Sequence, residues 1–269
     1  MKKSIYPVYQ LLTAFIVATL FLPLTSCTEQ PVQQMYYEIK IFNIPQPGQA
    51  ERVDKYLKEA FIPAMHRAGI TKVGVFKPIE ADTALFGKMV FVFIPYQTSD
   101  HYISVPGVLE QDPDYQQAGK DFIDAPYDNP PFARYESIFL KAFKNMPHFR
   151  PPSYTTPPEE RIYELRSYES PTLAKAAKKI EMFNEGGEIA IFEKLGFNAA
   201  FYGQVIAGSH MPNLMYMTTF ADMKSHDEHW EAFRNSPDWK ALSAKEEYKN
   251  VTSKTRPFFL VHPADYSDF

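Results

Sequence analysis

The segment Tyr37-Glu38-Ile39-Lys40-Ile41-Phe42 returns 126 residues later as Tyr163-Glu164-Leu165-Arg166-Ser167-Tyr168. Two more pairs keep nearly the same spacing: Ala68-Gly69-Ile70 with Leu195-Gly196-Phe197 at 127, and Asp112-Pro113-Asp114-Tyr115 with Ser236-Pro237-Asp238-Trp239 at 124. An offset that is nearly constant, and kept in order, marks a duplicated module. Between the copies, residues 145–160 carry Pro147, Pro151, Pro152, Pro157 and Pro158. That density excludes helix and central strand and predicts a semi-rigid linker. The chain therefore divides into a first module, 35–144, and a second, 161–269.

Each copy opens on an alternating strand and continues as helix, two strands, a second helix with a loop, and a last strand. In the first copy Val53, Leu57, Ala60, Phe61, Ala64 and Ala68 fall at the spacing of one buried helical stripe. Leu173, Ala176, Ile180 and Phe183 do the same in the second. Pro63 in one helix and Gly186-Gly187 in the other predict a bend or restart. Segments 88–94 and 213–220 read as third strands, 135–139 and 258–261 as last ones. The order βαββαβ is an α+β, ferredoxin-like unit. A sheet covered by helices on one face leaves its other face bare, so two such sheets are expected to cover each other as a pseudo-dimeric α/β barrel. The alternative is packing against a second chain, giving a homo-oligomer.

Ahead of the modules, Lys2 and Lys3 precede an apolar run from Leu11 to Leu22 that closes on Leu24-Thr25-Ser26-Cys27. The run is shorter than the roughly 20 apolar residues that span a bilayer. It reads as a secretory signal, residues 1–26. The Leu-x-Ser-Cys ending resembles a lipobox, which implies cleavage before Cys27, lipidation of its thiol, and a tether over 27–34. Cys27 is the only cysteine, so no disulfide forms within the chain and the core alone must hold the fold. Without residues 1–26 the chain has 26 basic and 32 acidic residues, a net charge of −6. Nucleic acid is not an expected partner, because phosphate binding rests on clustered Lys and Arg. The expected address is the cell envelope, lipid-anchored, by default on the outer membrane facing the periplasm.

Tyr163-Glu164-Leu165-Arg166-Ser167-Tyr168, the helix ending at Gly196, and Phe233-Arg234-Asn235-Ser236-Pro237-Asp238-Trp239 together resemble a NIPSNAP domain over most of residues 161–262. The first module resembles it more weakly, with Lys40 in place of Arg166 and Tyr115 in place of Trp239. The resemblance implies the dimeric α/β-barrel fold. It does not fix a reaction, since that fold includes monooxygenases, haem-degrading enzymes and domains with no assigned activity. Some relatives are mitochondrial, an address this signal excludes.

Strand alternation puts Glu164, Arg166 and Tyr168 on one face, where a charged pair persists only if both charges find partners. The pair reads as a structural ion pair or as the polar floor of a ligand pocket, with Arg166 able to hold a carboxylate or enolate. His226 and His229, three apart on the helix expected in the histidine-rich stretch from Asp222 to Trp230, share a face, where with Asp222 they could hold a metal. They are candidates for proton transfer or haem ligation, set against a plain surface role; no metal or other cofactor is assigned. Trp230, Phe233 and Trp239 read as core, with Trp230 a possible pocket wall beside Glu164 and Tyr168. His66 is placed to meet the end of its helix dipole, and His101 to precede a Pro-Gly loop and line a pocket. No nucleotide-binding or nucleophile-elbow motif is present. The expectation is a binding or interaction module for a small apolar ligand or an envelope protein. The alternative is a cofactor-independent oxygenase or isomerase using Arg166, His226 and His229, and behind it a haem-binding protein.

Overall fold

The structure, a computed structural model, describes residue 1, residues 32–254 and residues 258–269. Cys27 and the signal segment lie outside the described residues. Among those described, no helix is long and apolar enough to cross a membrane.

The first module runs β1 (Tyr36–Asn43), α1 (Gln49–Tyr56), α2 (Ile62–Arg67), β2 (Gly74–Pro78), β3 (Met89–Tyr96), α3 (Ser99–Glu110), α4 (Pro113–Ala118), α5 (Lys120–Ile123) and β4 (Arg134–Ala142). The second runs β5 (Ile162–Glu169), α6 (Leu173–Asn184), α7 (Glu188–Lys194), β6 (Asn198–Ala207), β7 (Asn213–Phe220), α8 (Met223–Asn235), α9 (Pro237–Ser243) and β8 (Phe258–Pro263). Each half is βαββαβ, as the duplication requires.

The two sheets do more than face each other. Their edges hydrogen-bond, β2 to β8 and β4 to β6, into one closed antiparallel barrel in the order β1-β3-β2-β8-β5-β7-β6-β4. Closure removes every sheet edge, which a face-to-face sandwich would leave open. Alternation then sorts the side chains. Tyr37, Ile39 and Ile41 of β1, Phe91 and Phe93 of β3, Leu165 of β5 and Met215 and Met217 of β7 fill the barrel. The opposite set, including Glu38, Lys40, Glu164 and Arg166, points outward under the helices.

The repeated motifs turn out to be helix ends. Gly69 and Gly196 follow α2 and α7 at φ +88° and +80°. In both, the glycine N–H and the next N–H bond back in the pattern of a Schellman close: Gly69 to His66 and Ile70 to Met65, Gly196 to Glu193 and Phe197 to Phe192. Asp112 and Ser236 are N-caps that accept from Tyr115 N and Trp239 N, with proline at the next position. The helix breakers act as expected but differently. Gly187 at φ +91° restarts the second helix, whereas residues Leu57–Phe61 form a π-helical turn immediately before Pro63, which lacks the N–H an α-helix would need there.

Two expectations are corrected. Pro106-Gly107 lies inside α3, not in a loop: the Thr98 cap and the buried Val105 and Leu109 hold the helix despite one missing hydrogen bond. The proline-rich stretch 145–160 is more than a spacer. Pro147 O accepts from Met35 N, Arg150 N donates to Ala200 O, and the Tyr154 hydroxyl donates to Thr219 O at 2.6 Å. Met146 is buried, and Phe149 packs beside Phe269 at the end of the barrel.

Candidate functional site

In the second module the sheet floor and α8 converge on Glu164, which is 1% exposed. Its Oε1 accepts from Arg166 Nε at 2.8 Å and forms an ion pair with Nη2 at 2.7 Å, and its Oε2 accepts from Trp230 Nε1 at 2.6 Å. The remaining Arg166 nitrogen, Nη1, donates to the Tyr168 hydroxyl at 3.3 Å, which bonds the Tyr216 hydroxyl at 2.8 Å. The Trp230 ring lies over the guanidinium, 3.8 Å from Cζ to ring centroid. Burial opposes ionisation of Glu164, but His226 and Arg166 outweigh it and hold its carboxyl below the usual range. The structure thus gathers Glu164, Arg166, Tyr168 and Trp230 into one polar cluster in which each guanidinium nitrogen contacts a partner.

The histidines separate. His226 Nε2 stands 3.4 Å from Glu164 Oε2, within ion-pair range but off hydrogen-bond geometry, and its Nδ1 is 2.8 Å from Asp227. Burial disfavours its charge, yet the two carboxylates raise its pKa above the ordinary value. His229 turns away: Nδ1 donates to Ser225 O at 2.6 Å and the ring packs against Phe197 and Phe220. Asp222 caps α8 by accepting from Ser225 N. Among the described residues no group of three or more His, Cys, Asp and Glu side chains is placed to hold a metal ion. His66 pairs with Asp268 at 2.8 Å, and His101 lies 3.1 Å from Ala68 O at the end of α2, lining a small cleft with Met35 and His148.

The open space lies in the other module. A cleft of about 680 Å³ runs between the first sheet and its helices, floored by Glu38, Lys40 and Ser137 and walled by Tyr56, Phe61, Tyr96, Tyr102, Tyr115 and Phe132. Ile103 and Tyr135, 71% and 50% exposed, stand at its mouth. Glu38 repeats Glu164, held by Lys40 Nζ at 2.6 Å, Ser137 Oγ at 2.5 Å and the Tyr96 hydroxyl at 3.0 Å. Burial, aided by Glu38, pushes the Tyr96 phenol up, so it remains a donor. The hydroxyls of Tyr56 and Tyr115 bond each other at 2.8 Å, and burial raises both.

Sequence reasoning placed the candidate pocket in the second module, whereas the cleft is in the first. The signal was available in the repeat. At the offset of 124 that relates the two N-caps Thr98 and Asp222, Trp230 corresponds to Pro106. Strand register extends the comparison. Lys40 pairs with Val92, and Val92 with Val75; Arg166 pairs with Tyr216, and Tyr216 with Tyr202. Of these positions Pro106 lines the cleft, while Val75 and Val92 are wholly buried in the core beneath the helices. The indole that Trp230 supplies in the second module is missing at Pro106, where the cleft opens.

A barrel of eight antiparallel strands built from two ferredoxin-like halves defines the dimeric α/β-barrel class, here closed within one chain. Residues 163–268, nearly all of the second module, match the NIPSNAP family model. No curated protein matches the chain. Among solved structures it is similar to a proposed monooxygenase from Lactobacillus acidophilus NCFM, at 11% identity and TM-score 0.52, covering 86% of this chain and 93% of the other. It is similar to an anthrone oxidase-like protein at 10% identity and TM-score 0.51, covering 87% and 93%. A NIPSNAP family protein from Agrobacterium tumefaciens shares 18% identity over 45% of this chain and 97% of its own, at TM-score 0.36. At these identities the first two likenesses show the fold alone.

Proposed function

We propose that the protein is a binding module in which the first half holds a small apolar or aromatic ligand and the NIPSNAP half is its structural counterpart. One observation carries this reading: the cleft of about 680 Å³ over Glu38 and Lys40, at the place where Trp230 plugs the second module. Its volume falls within the roughly 300–1,000 Å³ of small-molecule sites, and its walls are mostly aromatic and aliphatic with a few polar groups.

Pro106→Trp tests it. The substitution puts an indole where the second module has one and restores a helix N–H, so α3 is not harmed. Phenylnaphthylamine, a neutral aromatic probe that fluoresces when buried, is expected to bind the wild-type protein once per chain. Binding by Pro106→Trp is expected to be weaker by about tenfold or more, roughly 1.4 kcal/mol. Equal binding by both proteins, or none by the wild type, overturns the reading.

The same proposal places the body at a membrane through lipid on Cys27, supported by the order Leu24-Thr25-Ser26-Cys27. Two acyl chains are needed for a stable anchor. Incorporation of a palmitate analogue that is lost in Cys27→Ala is the expected result; label retained in Cys27→Ala overturns it.

A further inference from the structure

The polar atoms of the cleft restrict what a ligand carries. Every oxygen of Glu38 already has a donor, two on Oε1 and one on Oε2. Lys40, whose side chain is 21% exposed, has Glu38 as its one carboxylate partner among the described residues. An ammonium has three N–H groups, so two are left for the cleft. The paired hydroxyls of Tyr56 and Tyr115 share one hydrogen between them and leave the other unused. Tyr115 lies near enough to feel the Lys40 charge, and Lys40 Nζ sits 5.5 Å from the Tyr135 ring centroid. Around Lys40 the unmatched groups are therefore donors; the cleft's acceptors without a donor among the described residues, Glu110 and Gln116 Oε1, lie on α3 and α4.

Arg166 makes the contrast. Its three nitrogens each contact Glu164 or Tyr168, and Trp230 covers its face. The duplicated charge is covered by an indole in one module and borders an open cleft in the other.

We propose that the first-module cleft takes an apolar or aromatic body bearing an oxyanion, such as a carboxylate, a sulfonate or an ionised enol. The oxyanion docks on Lys40, with a tyrosine hydroxyl as its second donor. This rests on reading the cleft as the ligand site. A cationic amine would meet a like charge, and a neutral alcohol would leave donors without partners in a half-buried site.

Anilinonaphthalene sulfonate and phenylnaphthylamine share one aromatic body and differ by the anionic group, so their affinity ratio isolates the head group. The wild-type protein is expected to bind the sulfonate about tenfold tighter, a step of roughly 1.4 kcal/mol. Lys40→Met is expected to bring the ratio to about one, Lys40→Arg to keep it, and Pro106→Trp to weaken both probes together. Circular dichroism of each variant checks its fold, Glu38 keeping Ser137 and Tyr96 throughout. If the wild type binds both probes alike, or the preference survives Lys40→Met, the oxyanion proposal is wrong while the cleft stands. If neither probe binds the wild type, the cleft reading fails and takes the proposal with it.

Discussion

The indole of Trp230 covers the guanidinium of Arg166 at 3.8 Å and donates to the carboxylate that the same guanidinium clasps. One side chain thus fills the second module's cleft and completes the partners of its buried charge. Trp230→Phe keeps most of the packing and removes the donor. It is expected to cost about 1–3 kcal/mol, the penalty for leaving a buried acceptor short. Trp230→Ala is expected to cost about 3–5 kcal/mol through the cavity as well, and to gain phenylnaphthylamine binding. Urea denaturation reads both; two variants as stable as the wild type would show that the indole is not a structural plug. A catalytic role for Arg166 with His226 or His229 requires this ring to move, so Trp230→Ala is also the variant in which any such activity is expected to rise.

His226 between Glu164 and Asp227 makes the cluster sensitive to pH. Its pKa is raised above the ordinary 6.5, because the two carboxylates outweigh burial. A raised imidazole contributes stability that is full below 6.5 and is lost as pH climbs through its folded value. Glu164 is lowered from 4.5, and its contribution is present above that value and lost as pH falls through the folded one. The stability margin of the wild type over His226→Gln is therefore expected to be widest between 4.5 and 6.5 and to narrow on either side. Melting temperatures of the two proteins, followed across that range and above it, check this. A margin that stays constant into alkaline pH would mean that His226 is neutral in the fold.

Much of the architecture was legible because it is written twice. Three matched segments located both modules, and the structure shows why those segments persist: Gly69 and Gly196 close helices, Asp112 and Ser236 open them, and the Glu38 and Glu164 strands lie at matching places in the barrel. Local chemistry of this kind survives divergence because each motif meets a backbone requirement in its own few residues. The hydrogen bonds that join β2 to β8 and β4 to β6 were not legible, since an edge carries no side-chain signature of its partner. Nor was the location of the cleft. Periodicity identified Trp230 and Phe233 as core, but it does not say what is missing at Pro106. Only the pairing of the copies position by position, Pro106 with Trp230, exposes the deficit in volume.

The two helix-closing glycines offer an internal control. Both sit at positive φ, where a side chain costs about 1–2 kcal/mol. A Cβ at Gly69 would meet nothing within 4 Å, whereas one at Gly196 would lie 3.2 Å from His229 Nε2. Gly196→Ala is therefore expected to be the more destabilising, and Gly196→Ala combined with His229→Ala to recover part of the difference. Equal losses from the two single variants, measured by urea denaturation, would show that His229 yields freely.

Phe269, from the second module, closes one end of the barrel over side chains of the first module and the proline-rich stretch. Its ring meets Phe76 at 5.3 Å and Phe93 at 5.8 Å, nearly perpendicular to each, and lies 5.1 Å from Phe149. Phe149 comes from the proline-rich stretch and itself meets Phe93 at 5.4 Å. Because Phe269 is only partly buried, Phe269→Ala is expected to cost about 1–3 kcal/mol, below the roughly 3–5 kcal/mol of a wholly buried ring. Phe149→Ala should cost a similar amount. Since the two rings touch, the double variant should fall short of the sum by about 0.5–1.5 kcal/mol, the scale of one aromatic pair. A strictly additive double variant in urea denaturation would mean that the two rings cover the barrel independently. A shortfall would establish that Phe149 holds the proline-rich stretch in place as part of the barrel's cap, while Pro151, Pro157 and Pro158 face solvent.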